Sequence, residues 1–212
     1  MTTVKGKAPN RRTAKARETR TRMLDAAREL FVGQGYGATT LAEVAAAAGV
    51  AVQTIYFTFN NKRSLLKELV DVTVAGDDEP VATMDRQWYR DALAAPTAVA
   101  QLRAQIAGSR SVLDRVAPIV SMVTVAAASD PEVAANWPDD IDPRFTVLSN
   151  SALSLVDKPG ARTGVSAAEA ADLLYGILSP ELYLLFVRDR GWSPERYELW
   201  AFDTLRPQLC AD

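Results

Sequence analysis

The run TTLAEVAAAAGVAVQTIYFTFNNK, Thr39 to Lys62, decides the fold. Leu41, Val44, Ala45 and Ala48 fall at i, i+3, i+4 and i+7, so they line one face of a short helix. Thr40 is placed to cap that helix, and Glu43 three residues later completes a capping box. Gly49 suits the left-handed position at which the helix must stop. Val50 then fills the gap before a second helix, Val52 to Thr58. Ile55 points inward there, while Gln53, Thr54, Tyr56 and Phe57 lie largely outward. A short helix with polar and aromatic residues on its free side is what reading a DNA groove requires.

The flanking residues extend the same unit. Leu24, Ala27, Leu30 and Phe31, with Met23 alongside, give the inner face of a preceding helix that Gly33, Gly35 and Gly37 end. Asn60 and Asn61 precede another helix that starts near Lys62. The N-terminus of that helix attracts a phosphate through its backbone N–H groups and dipole.

Charge is segregated along the chain. Residues 1–70 carry 12 basic and 5 acidic residues, and residues 71–212 carry 12 basic and 21 acidic. The net −2 therefore joins a basic first third to an acidic remainder. Nucleic acid is attracted to one end and repelled from the other. Lys5, Lys7, Arg11, Arg12, Lys15, Arg17, Arg20 and Arg22 face Glu18 alone in the first 22 residues. Residues 1–12 are expected to be a disordered basic arm able to track phosphates.

Composition narrows the function further. The 212 residues contain no histidine and one cysteine, Cys210. His-based acid–base catalysis, Ser-His or Cys-His nucleophiles and histidine-ligated metals are thereby excluded. The acidic clusters Asp77–Pro80 and Pro138–Asp142 are expected to be solvated loops. No metal and no cofactor is expected. No apolar run approaches the ~18 residues of a membrane span, and MTTVKGKAPNRR has no signal-peptide core. A cytoplasmic protein without a membrane partner is expected.

Arg20 to Val70 resembles the DNA-binding domain of TetR-family transcriptional regulators. The shared pieces are Ala26, Ala27, Leu30, Phe31, Gly35 and Tyr36, then Thr39 and Thr40, Ala48 to Val50, Thr54 to Tyr56, Phe59, Lys62, Leu65 and Leu66. The resemblance implies that Tyr56 and Lys62 grip the DNA backbone, with Gln53, Thr54 and Phe57 near base edges. Thr40, Leu41, Ala51, Val52, Thr58, Arg17 and Arg20 complete the expected DNA-contacting set. Phe57 cannot hydrogen-bond a base but can touch a thymine methyl.

The expected architecture is all-α. A three-helix helix-turn-helix DNA-binding domain (13–75) precedes a helical ligand-binding and dimerisation domain (76–212). Helices are expected near Val81–Ala94, Thr97–Ser109, Val112–Ala128, Asp130–Trp137, Pro143–Val156, Ser166–Arg190 and Pro194–Leu209, with a loop at Val156–Val165. Leu173 to Leu205 resembles the last two helices of actinobacterial-type TetR-family proteins, which pair with their twofold mates. Leu182, Leu185, Phe186, Trp200 and Leu205 are the expected dimer contacts. Trp88, Tyr89, Leu113, Ile119, Met122, Val123, Trp137, Phe145, Leu148 and Tyr175 are candidate walls of a pocket for an unknown hydrophobic or aromatic effector. The resemblance implies a homodimer on a palindromic double-stranded operator, a repressor whose ligand tilts the fourth helix and releases DNA. A helical-domain enzyme and a non-DNA-binding adaptor are the competing readings.

Overall fold

The computed structural model describes residues 11–76, 82–135 and 143–211. The expected arm falls largely outside them, as do Asp77–Pro80, Pro138–Asp142 and Trp137. The chain divides into two compact units, Met1–Leu69 and Val70–Asp212. Among the described residues every regular element is helical, apart from one isolated β-bridge between Ala161 and Cys210.

The first unit holds α1 (Arg11–Gln34), α2 (Leu41–Ala48), α3 (Val52–Phe59) and the start of α4 (Lys62–Ala75). α1 runs through Gly33 and ends at Gln34, so Gly35, at φ +91°, makes the turn. Most of the expected core face is buried, Leu30 being only half-buried: Met23, Leu24, Ala27 and Phe31 of α1 join Leu41, Val44, Ala45, Ile55, Phe59, Leu65 and Leu66. The Phe31 and Tyr36 rings meet at 5.3 Å. The unit boundary falls within α4 rather than after it.

The second unit is organised around α6 (Ala98–Ser129), capped by the Thr97 hydroxyl, which accepts from the Ala100 N–H. Two helices were expected here; one 32-residue helix forms and carries Pro118 inside it. α5 (Gln87–Ala94), α8 (Pro143–Val156), the short α10 (Pro180–Leu184) and α11 (Pro194–Leu209) pack against it, as does α7 (Pro131–Ala134). α9 (Ala167–Ile177) lies along α8. Gly108 does not interrupt α6, because the Trp88 ring from α5 occupies the space beside it. A methyl there would stand 2.1 Å from Trp88 Cε3.

The expected helical stretch Ser166–Arg190 is divided at Pro180, a residue whose ring suits the start of a helix or kinks one. α9 ends at Ile177, Ser179 caps the next turn by accepting from the Leu182 N–H, and Pro180 takes its first position. A π-helical turn, Leu185–Asp189, follows α10. Proline lacks the N–H that an unbroken helix needs, while a first turn leaves that group unused.

Apolar clusters among the described residues make up much of the core of this unit. One gathers Leu102, Ile106, Leu148, Leu155, Leu174, Phe202 and Leu205; another Leu113, Ala117, Tyr183, Leu184 and Tyr197. A buried polar ladder crosses from α6 to α8. Gln101 Nε2 donates to Ser151 O (2.8 Å), Ser151 Oγ to Gln105 Oε1 (2.6 Å), and Ser154 Oγ to Gln101 Oε1 (3.0 Å). Lys158 closes the end of α5 by donating to Leu93 O and Ala95 O at 2.9 and 2.7 Å. Cys210 is buried, and burial pushes its thiol above the ordinary value, away from nucleophilic reactivity.

Two helical stretches, Ala98–Ser129 and Ala167–Asp189, are long and apolar enough to cross a membrane by length and composition. This corrects the expectation that no run approaches that size. Part of their apolar content is buried in the core, as at Leu102, Ile106, Ile119, Leu174 and Leu178, while Val125 and Leu185 remain exposed.

The Gly108 contact yields a direct test. Gly108→Ala should lower stability by about 1–3 kcal/mol through overpacking against Trp88. Urea denaturation followed by tryptophan fluorescence measures it.

Candidate nucleic-acid interface

The α2–α3 hairpin is fixed at each joint by a short-range bond. At its start the Thr40 N–H donates to Glu43 Oε2 (2.7 Å) and the Glu43 N–H to Thr40 Oγ1 (3.2 Å). These bonds hold the Glu43 carboxyl below its ordinary range, the Thr40 backbone N–H contributing most and its hydroxyl next. At the end of α2, Gly49 adopts φ +67°. The Val50 N–H reaches Ala45 O (3.0 Å) and the Gly49 N–H reaches Ala46 O (3.2 Å), the paired bonds of a Schellman stop. The chain then turns by 109° into α3, within the range of helix-turn-helix motifs.

α3 buries Ile55 and Phe59 and turns its other side outward. Phe57 is 94% exposed and Tyr56 53%. Gln53 and Ala51 are exposed, whereas Val52, Thr54 and Thr58 are half-buried. Thr58 Oγ1 donates back to Thr54 O at 2.8 Å. Asn60 ends the helix at φ +65°, a conformation asparagine tolerates better than most residues. Asn61 Oδ1 then accepts from the Ser64 N–H (2.9 Å) and starts α4, which puts Lys62 at its first position.

The expected contact residues do not all share this surface. Thr40 is exposed, but Leu41 is buried at 8% and belongs to the core beneath α2, so its side chain is removed from the contact set. Lys62 is half-buried; its Nζ lies 4.2 Å from the Tyr36 ring centre and donates to Gly37 O (3.4 Å). Lys62 thereby also braces the α1–α2 turn. Arg17 is exposed on α1. Arg20 pairs with Glu68 and lies over the Phe59 ring at 5.9 Å. A shallow groove lined by Lys15, Ala16, Arg17, Thr19, Arg20, Met23, Thr54 and Thr58 runs between α1 and α3. Lys15 and Thr19 were missed. Their i, i+4 spacing on the basic start of α1 was the available signal.

The candidate effector residues fall into separate packing groups. Trp88 stands edge-on to Tyr89 at 5.6 Å, and the buried Tyr89 hydroxyl lies 2.9 Å from Val147 O and 3.0 Å from Asn150 Oδ1. Leu148 and Leu113 belong to different core clusters. Ile119, Met122 and Val123 are buried on the second half of α6. Phe145, 40% exposed, meets Tyr175 edge-on, and Arg144 caps the Tyr175 ring at 3.6 Å.

The expected dimer residues also divide. Leu185 is 47% exposed, and Leu182, Phe186 and Trp200 are half-buried. Phe186 stacks on Trp192 at 4.4 Å and packs against Trp200 at 4.7 Å. Leu205 is fully buried inside the protomer, in the cluster with Leu102 and Leu174, so it cannot form an intersubunit contact. Leu199, 58% exposed on α11, was missed. Beneath this surface Tyr183 donates to Asp114, whose other oxygen lies 2.7 Å from Arg110 Nη1, while Arg110 Nε donates to Glu198 (3.0 Å). Burial, then the Asp114 bond, raises the Tyr183 hydroxyl so that it stays protonated.

A family model described as bacterial regulatory proteins, tetR family, matches residues 23–69. The chain carries the helix-turn-helix domain of the TetR family. The HTH-type transcriptional regulator TtgR of Pseudomonas putida is 45% identical over 56 residues, which cover 26% of this chain and 27% of that regulator. The chain thus spans about a quarter of the length of the curated relatives it matches. These relatives are named as transcriptional regulators rather than enzymes. Beyond the first domain the likeness is one of fold. The structure of FadR from Bacillus subtilis in complex with stearoyl-CoA gives a TM-score of 0.66 at 18% identity, covering 87% of this chain and 96% of that one. The SmeT–triclosan complex gives 0.69 at 20%, covering 92% and 93%. The second unit therefore shares a helical framework with them, and little sequence.

The capping box gives a pH-dependent signature. Glu43 is depressed in the folded state, so its contribution is full above the unfolded carboxyl value of ~4.3 and is lost as pH falls through the lower folded value. Protection of the Thr40 amide from hydrogen exchange should fall across that window in the native chain. In Glu43→Ala it should be weak at every pH.

Proposed function

We propose that this protein is a homodimeric transcriptional regulator that places α3 in the major groove of a palindromic operator and leaves it when a small hydrophobic or aromatic molecule binds the second unit. One observation carries the reading: α3 holds Gln53, Tyr56 and Phe57 outward on a hairpin locked by the Thr40–Glu43 box and the Gly49 stop. Cations flank that surface at Lys15, Arg17 and Lys62, where phosphates pass on either side of a groove-bound helix. The seven-charge surplus of residues 1–70 supports the same partner. Such a protein works where the chromosome is, in the cytoplasm.

Repression and ligand release rest on the relatives. FadR and SmeT are described in complex with stearoyl-CoA and with triclosan, ligands that carry a long acyl chain and a pair of chlorinated aromatic rings. The aromatic residues Trp88, Tyr89, Phe145 and Tyr175 fit that class. Dimerisation rests on Leu185 and Leu199, apolar residues of α10–α11 and the turn between them that remain exposed in one protomer. A dimer holds two α3 helices about one DNA turn, ~34–36 Å, or a multiple apart.

Two experiments test these parts. In mobility-shift titrations, Tyr56→Phe and Lys62→Ala should weaken binding to all sequences alike, and Lys62→Ala should reduce the salt slope by about 1. Gln53→Ala should instead change the order of preference among operator variants. An unchanged affinity and slope for Lys62→Ala would remove it from the backbone contacts. Leu185→Arg, at a half-exposed site, should leave the protomer folded, yield monomers in sedimentation and abolish binding to the full palindrome. A folded monomer with native affinity would reject the dimer.

A further inference from the structure

The exposed face of α3 is unusually poor in hydrogen-bonding groups. The helix VQTIYFTF contains no arginine or lysine. The commonest base-specific contact, a cation on guanine O6 and N7, is therefore not available from it. Thr58 does not supply a free donor, since its hydroxyl proton goes to Thr54 O. Two neighbouring cations are engaged within the domain, Lys62 by Tyr36 and Gly37 and Arg20 by Glu68 and Phe59, while Lys15 and Arg17 belong to α1, beside Thr54 and Thr58, where a phosphate rather than a base edge is in reach. What α3 offers instead is apolar surface: Ala51 and Val52 at its start, and Phe57 at 94% exposure. The other phenylalanines of the domain, Phe31 and Phe59, are 0% and 3% exposed. Gln53 is the one exposed amide on the helix.

We propose, building on the DNA-binding reading above, that α3 selects its half-site chiefly through a thymine 5-methyl group held against Phe57, with Gln53 taking an adenine two base-pair steps away. The major groove displays one apolar group, the C5 methyl of thymine, and an exposed ring can recognise that group without a hydrogen bond. Glutamine matches the N6 and N7 edge of adenine in a bidentate pair. Positions 53 and 57 lie one helical turn apart, about 6 Å along the axis, close to two base-pair steps of ~3.4 Å. The operator core is thus A·T-weighted, and at the position facing Phe57 its recognition depends on the C5 methyl of the pyrimidine rather than on a hydrogen bond.

The test uses the full-length protein. Duplexes selected from a random pool are resynthesised with deoxyuridine replacing thymidine at one symmetry-related pair of positions at a time. Affinity is then read by fluorescence anisotropy. Uracil keeps every hydrogen-bonding group of thymine and lacks only the methyl. Loss of one buried methyl is about fourfold, so a symmetric pair should cost about fifteenfold at the contacted position. Phe57→Ala, which removes only exposed surface, should bind the thymine and uracil duplexes equally. A pool that yields no enriched sequence would overturn the DNA-binding reading itself. An enriched operator that tolerates uracil at every position within twofold would overturn methyl recognition alone. An equal uracil penalty in Phe57→Ala would show that another group or the groove shape senses the methyl, and would reject the assignment to Phe57.

Discussion

The left-handed backbone of Gly49 is the constraint on which the first unit depends. At φ +67° the chain leaves α2 with the Val50 N–H returned to Ala45 O and the Gly49 N–H to Ala46 O. An L side chain in that conformation costs roughly 1–2 kcal/mol, and a longer α2 would erase the 109° turn into α3. Ile55 and Phe59 reach the core only because that turn is sharp. Their burial leaves Gln53, Tyr56 and Phe57 no alternative but to face solvent. The displayed surface is therefore a by-product of packing the opposite face.

The second unit follows a different logic. Its framework is long-range: α6 collects α5, α8, α10 and α11, and the C-terminal turn is tied back by Arg162 N–H to Leu209 O and Ala211 N–H to Gly160 O, each 2.9 Å. Two networks of polar groups inside it are internally paired. The Gln101–Gln105–Ser151 ladder and the Tyr183–Asp114–Arg110–Glu198 chain satisfy atoms whose burial alone would destabilise the fold.

This difference explains what the sequence disclosed. Capping boxes, left-handed glycines and i, i+3, i+4 faces are local, so α2, α3, α8 and α11 were legible to within a residue or two. Ser179–Pro180 carries the same start signal as Ser193–Pro194, so a start or kink at Pro180 was legible, while the π-helical turn that follows it was not. Continuity of α6 through Gly108 was hidden because it depends on Trp88, twenty positions earlier. Leu205 and Leu185 both sit on apolar stripes; only packing distinguishes the fully buried one from the half-exposed one. The methyl-reading face was legible as composition, but the engagement of Thr58, Lys62 and Arg20 within the domain required coordinates.

The Gln101–Gln105–Ser151 ladder makes the α6–α8 contact behave as a ratchet with widely spaced notches. Sliding either helix by a fraction of a turn separates Gln101 from Ser151 O and Ser154, and Gln105 from Ser151, all at once. Those bonds would have to break together in a buried seam, so small displacements are resisted and a discrete change of register is favoured over gradual sliding. Gradual motion must then be absorbed where the backbone is already irregular, at the Leu178–Pro180 break and the π-helical turn Leu185–Asp189. The domain is thus stiff along one axis and jointed along another, a division of mechanical labour set by two glutamines and a serine.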